Sequence, residues 1–215
     1  MNPLRTLLAA LVATLSVLAA LPAIAHAERT LAPGDTIDTD TGSCSIGYFA
    51  TDPSGGLYIV TAGHCSDHTD SAVAADGIEI GTVVAGYDEC RGDGACEFGK
   101  YGITIIRLHR GTDITLRHWW TSVHDAAVGD KVCISGGGDR TTRCGVTETA
   151  TASFTNVRGI ESVPGDSGSG AWGGPDYRLV GLVISRGEGT TQVQPVSDAQ
   201  AKARRLGYDL SILVR

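Results

Sequence analysis

The chain has 215 residues and a formal net charge of −7, with 17 Lys and Arg against 24 Asp and Glu. That acidic balance argues against nucleic acid as a partner, which would need clustered Lys and Arg. The length suffices for one sizeable domain or for two small subdomains that share a core.

Residues 1–27 carry one charge, Arg5, then an apolar run from Leu7 and an Ala-x-Ala pattern ending at Ala25, His26 and Ala27. This is the layout of a secretory signal peptide. The apolar run approaches membrane-spanning length. Pro22 and the Ala-x-Ala site favour cleavage over anchoring, which leaves residues 28–215 as a secreted domain with no membrane contact. No cysteine follows the cleavage site, so no lipid anchor is expected there.

Short apolar or alternating runs follow: CSIGYFA, LYIVTA, GIEIGTVVAG, GITIIRL, DKVCIS, CGVTETATASF, RLVGLVISR and TTQVQPV. Clusters such as TDPSGG and SGGGD separate them. Many short strands with turn signals between them predict an all-β sandwich or barrel. The exception is SDAQAKARRLG, read as a closing helix over about 197–207. Ser197 or Asp198 would be its N-cap and Gly207 its C′ residue. The six cysteines, Cys44, Cys65, Cys90, Cys96, Cys133 and Cys144, form an even set in an exported chain and predict disulfides. Their spacing alone does not choose among the pairings.

Two stretches carry chemistry. LYIVTAGHC runs a β-branched strand into a turn that presents His64, and SVPGDSGSGAW sets Ser167 in a glycine-rich turn. A lone histidine is most often a surface or satisfied core residue, and one Gly-Asp-Ser-Gly is most often a turn. In this order, about a hundred residues apart, they are specific. TAGHC followed by PGDSGSG resembles the trypsin-like serine proteases, and most nearly the bacterial secreted branch of streptogrisin and α-lytic protease type. VCISGGGDRTTRCG is similar to that branch's disulfide loop, and VQPVSDA to the entry into its C-terminal helix.

The resemblance implies two perpendicular six-stranded antiparallel β-barrels with a C-terminal helix and the active site in the cleft between the barrels. The first barrel would span about 40–112 and the second about 113–195. The resemblance also implies the pairs Cys44–Cys65 and Cys133–Cys144, leaving Cys90 and Cys96 to close a short loop. His64 would be the general base and Ser167 the nucleophile. The N–H groups of Gly165 and Ser167 would form the oxyanion hole, and Ser185, Arg186 and Gly187 would pair with substrate backbone. Glu161 lies where an acidic pocket base could sit. Asp166 resembles a family aspartate held by a buried arginine just after the first cysteine of the loop. That place is Ile134 here, with Arg140 and Arg143 as substitutes. The expected product is a monomeric secreted endopeptidase acting on polypeptides, with no cofactor and no metal. HCSDH spaces His64 and His68 like a zinc helix, but Cys65 stands where the Glu should be.

One part departs from the pattern. The strand resembling Asp-Ile-Ala-Leu-Ile-Arg-Leu is GITIIRL, which puts Gly102 at the aspartate place. A second register puts Lys100 there, and neither supplies a carboxylate. A glycine at 102 is expected to leave room for an introduced carboxylate. Asp88, Asp93 and Glu97 lie nearby in sequence, whereas Asp67 is too close to His64 to orient it. The alternative to a protease is a weak or inactive pseudo-protease that uses the cleft to bind protein or peptide.

Overall fold

The structure is a computed structural model, and it describes residues 30–88, 101–116 and 120–215. The expected signal segment, the Cys90–Cys96 bridge, Asp93, Glu97 and Lys100 lie outside the described residues.

The short β1 (Thr30–Leu31) is followed by β2 (Thr36–Thr39), β3 (Gly42–Ser45), β4 (Tyr48–Thr51) and β5 (Leu57–Ala62). Next come β6 (Ala72–Ala75), β7 (Ile78–Tyr87), β8 (Ile103–Leu108) and β9 (Asp113–Ile114), the last running parallel to β1. The first large sheet has the order β4-β5-β8-β7-β6-β2-β3 and curls into an incomplete barrel, with no ladder joining β3 to β4. The chain then forms β10 (Ser122–Val123), β11 (Lys131–Ile134), β12 (Arg143–Ala150) and β13 (Thr155–Arg158). It continues through β14 (Gly170–Gly173), β15 (Arg178–Gly187) and β16 (Thr190–Pro195). Six of these close on themselves in the order β15-β14-β11-β12-β13-β16, because β16 also pairs with β15. Helix α1 (Val196–Arg205) follows, and β17 (Ser211–Ile212) returns to pair with β4 of the first sheet. The fold is all-β, a closed barrel and a curled one with a C-terminal helix.

Inward side chains fill each sheet. Ile37, Phe49, Ile59, Val60, Ile105 and Ile106 are fully buried in the first. Val132, Ile134, Val157, Val183 and Val193 form a separate core cluster in the second. Burying a side chain of this size contributes about 1.5–3 kcal/mol. Trp120 bridges the halves, packing on Trp172 at a centroid distance of 6.0 Å.

The helix begins earlier than its sequence suggests. Pro195 takes the N-cap place and makes no side-chain cap bond, so neither Ser197 nor Asp198 caps. A proline with fixed φ ends β16 and starts the helix directly. Asp198 instead accepts from Gln194 Nε2 at 2.7 Å and pairs with Lys202 at 2.6 Å. Gly207 does end the helix, with φ of 86° and its N–H donating to the Arg204 carbonyl.

Candidate active site

β5 leads into a short 3-10 turn, Gly63–Cys65, that presents His64. The turn is tied down by the Cys44–Cys65 disulfide, with Sγ atoms 2.03 Å apart. A ring nitrogen of His64 lies within 4.8 Å of both cysteine sulfurs. Those thiols are spent in the disulfide, so this group of donors does not make a metal site. His68 bonds Asp40 through Nδ1 at 3.0 Å.

Ser167 comes from the second half of the chain and arrives at the same disulfide. Its carbonyl lies 4.0 Å from Cys65 Sγ and accepts the Ser45 N–H at 2.8 Å. The next residue shows how tight the approach is. Gly168 has φ of 81°, and a Cβ there would fall 1.8 Å from Thr61 Oγ1 on the strand that leads to His64. Only glycine allows that conformation and that contact together. Among the described residues no hydrogen bond joins Ser167 Oγ to the imidazole.

The serine loop is a built turn. The Asp166 N–H donates to the Val163 carbonyl at 3.0 Å, and Ser45 Oγ donates to the Gly165 carbonyl at 2.6 Å. The backbone N–H groups of Gly165 and Ser167 donate to no described residue. Asp166 is fully buried. Its carboxylate accepts from Val163 N–H at 2.8 Å and from Arg143 Nη2. Of the two arginines offered by the sequence, Arg143 therefore holds Asp166. Arg143 is the direct cross-strand partner of Ile134 in the β11–β12 ladder, beside the Cys133–Cys144 disulfide. Directly opposed residues on antiparallel strands share a face, so the guanidinium enters from the other strand of the hairpin onto the same side.

A cavity of about 300 Å³ opens beside Ser167. Ser162, Val163 and Pro164 form one wall, and Val183, Ile184, Ser185 and Arg186 the other. Gly187 follows at the end of β15, opposite Thr190. Ser185 Oγ donates to Gln192 Oε1, which also accepts from Tyr101 Oη at 2.7 Å. Glu161 is exposed and does not line the cavity, contrary to its expected place. Arg186 is the cavity's charged lining residue.

The His64 imidazole is open to solvent on one side, yet the protein packed on its other sides desolvates it and pulls its pKa below the ordinary value. The field of Asp88 opposes that shift. Gly102 directly precedes β8, and its carbonyl accepts the N–H of Gly63, the residue before His64, at 2.9 Å. It holds no room for a carboxylate. A Cβ on Gly102 would stand 1.8 Å from the Tyr87 carbonyl oxygen, which corrects the expectation of free space.

The architecture, a closed barrel and a curled one with a C-terminal helix, is the fold of solved bacterial serine proteases. The chain is similar to Thermobifida fusca Protease A, with a TM-score of 0.66 and 20% identity over 87% of this chain and 100% of that one. It is similar to Nocardiopsis Protease at a TM-score of 0.65 and 21% identity, over 86% and 99% of the two chains. For the alpha-lytic protease homolog N4 the values are 0.62 and 20%, over 85% and 98%. No family model and no curated protein matches the chain.

Proposed function

We propose that the protein is a secreted serine endopeptidase in which Ser167 is the nucleophile and His64 the general base. The observation that carries this reading is the convergence of the two residues, from opposite halves of the chain, on the Cys44–Cys65 disulfide. A serine hydroxyl attacks a carbonyl only when a base takes its proton. A neutral imidazole is the form that can, and burial favours it here.

Attack of Ser167 Oγ on the scissile carbonyl carbon passes the hydroxyl proton to His64 and moves the carbonyl electrons onto oxygen. The N–H groups of Gly165 and Ser167, which donate to no described residue, receive that oxyanion. Collapse expels the amine, which takes the proton from His64, and a water then hydrolyses the acyl-enzyme by the same steps in reverse. Ser185 to Gly187 hold the substrate backbone. The cavity beside Ser167 takes the side chain before the cut, and Arg186 suits an acidic one. Export rests on the amino-terminal segment and on the disulfides, which persist in oxidising compartments.

Gly102 in place of a carboxylate favours a second reading, a pseudo-protease that binds peptides in the cleft. A fluorophosphonate separates the two. The protease reading requires covalent labelling of Ser167 that Ser167→Ala abolishes without unfolding the chain. A folded wild-type protein that takes up no label leaves the binding role.

A further inference from the structure

Resting on the protease reading above, we propose that Asp88, just past the end of β7, is the positioning carboxylate of His64, supplied from the strand beside β8, where the residue just before the strand, Gly102, has no side chain. The last rung of the β7–β8 ladder pairs Tyr87 with Ile103. Beyond it the chain crosses over Gly102. A Cβ on Gly102 would stand 2.5 Å from the Cα of Asp88. The Asp88 Cα thus stands beside the place where a side chain at 102 would begin. The bare Cα at 102 is what lets the Tyr87–Asp88 backbone come so close.

The same spot is fastened to His64. Gly63, the residue before it, donates its N–H to the Gly102 carbonyl at 2.9 Å. The Gly63 carbonyl accepts from Thr104 Oγ1 at 3.1 Å. A Cβ on Gly63 would lie 2.7 Å from the Tyr87 carbonyl oxygen, so three backbone segments meet beside the imidazole. The Tyr87 ring is gripped from α1 by Lys202 and Arg205, each 5.9 Å from its centroid. Lys202 is 2% exposed and held by Asp198, which makes that grip rigid. Among the described residues Asp88 is the charged group whose field supports the protonated form of His64. Asp67, the nearer acid in sequence, is exposed, and its N–H is turned to Asp40.

A carboxylate at this place accepts a proton-bearing Nδ1–H. That leaves the Nε2 lone pair for Ser167 and stabilises the imidazolium that forms in the reaction. Asp88 acts through His64 and does not touch substrate.

The test uses the full chain with Asp88→Asn and Asp88→Glu. Asp88→Asn should slow fluorophosphonate labelling of Ser167 by about 10²- to 10⁴-fold, the upper figure being the loss in the serine-protease template. Asp88→Glu should retain part of the rate. The His64 titration, followed by NMR of the ring protons, should move to lower pH in Asp88→Asn. Nitrogen NMR of the unmutated protein should find neutral His64 as the Nδ1–H tautomer, a readout that survives if the variants fail to fold. Labelling of Asp88→Asn within about twofold of wild type, an unmoved His64 titration, or an Nε2–H tautomer in the wild type would each overturn the assignment. Failure of the wild type to label refutes the protease reading instead, and the two NMR measurements still decide the Asp88–His64 pairing.

Discussion

Replacing Arg143 with methionine removes the cation from a carboxylate that has no solvent to turn to. Asp166 is 0% exposed, and after the change it retains the Val163 N–H at 2.8 Å as its remaining hydrogen bond among the described residues. Breaking a buried pair on one side costs about 3–5 kcal/mol. The second partner of Arg143, Asp139, is 43% exposed at 2.7 Å and contributes at most about 1 kcal/mol. In a domain of this size each kcal/mol moves the melting temperature by about 2–4 °C, so Arg143→Met should lower it by about 6–20 °C. Labelling of Ser167 should fall with it, because Asp166 anchors the turn that aims the Gly165 and Ser167 N–H groups. Arg140→Met should change stability by less than about 0.5 kcal/mol, as Arg140 is exposed. Ile134→Arg in the Arg143→Met background puts the guanidinium on the opposed residue of the same rung, and should restore labelling ahead of stability because Ile134 is a fully buried core residue. Differential scanning calorimetry and a labelling time course read both effects. An Arg143→Met protein within about 1 kcal/mol of wild type that labels at the wild-type rate would refute the anchoring role.

Three further outcomes are expected. Gly102→Asp should give no gain in peptide turnover and should destabilise by about 1–3 kcal/mol or more, since its Cβ meets backbone at 1.8 Å; a folded variant that is faster than wild type on chromogenic peptides would contradict this packing. Peptides with Glu before the cut should outrun those with Lys, and Arg186→Ala should reduce that ratio about tenfold, roughly 1.4 kcal/mol, in kcat/KM, whereas an unchanged ratio places the selecting group elsewhere. Labelling of Ser167 should be slow in acid and rise to a plateau with a midpoint below about 6.5, because the neutral imidazole is the base and burial lowers its pKa more than Asp88 raises it; a midpoint above that value would mean that the carboxylate dominates.

Much of the fold could be read from pattern. LYIVTA is β5 itself, and the long runs around Ile80, Ile105 and Leu182 are β7, β8 and β15. Some strands carry little sequence signal. β14 reads GAWG, which looks like turn, because a Cβ on Gly170 would strike the Trp120 ring at 2.5 Å. β6 is a run of alanine and valine with no alternation to announce it. The helix cap differs from its sequence signal: Ser197 and Asp198 look like caps, but Pro195 holds the cap place and fixes the turn. At the site, the turns bearing His64 and Ser167 carry local signatures. Their partners carry none, since which acid faces an imidazole is decided by strand crossings.

Two charged groups illustrate the same point. An arginine is expected beside the first cysteine of the disulfide loop and a carboxylate at the head of β8, and both places are apolar or bare: Ile134 and Gly102. In each case a group of the expected charge stands one strand across. Arg143 faces Ile134 on one rung of the β11–β12 ladder and reaches Asp166. Asp88 lies one residue past the last rung, over Gly102, and acts on His64. Electrostatic roles depend on where the charge ends in space, and two opposed residues on an antiparallel pair deliver it to nearly one place. A sequence comparison made column by column separates Arg143 from Ile134 by the turn of their hairpin, and it puts Asp88 and Gly102 in unrelated columns. The exchange is therefore invisible along the chain and short across the sheet. It also has a steric condition. The vacated position must be small or apolar enough for the neighbouring strand to close over it, which Gly102 meets by having no Cβ. That condition is why restoring the absent side chain at 102 should break the arrangement that replaced it.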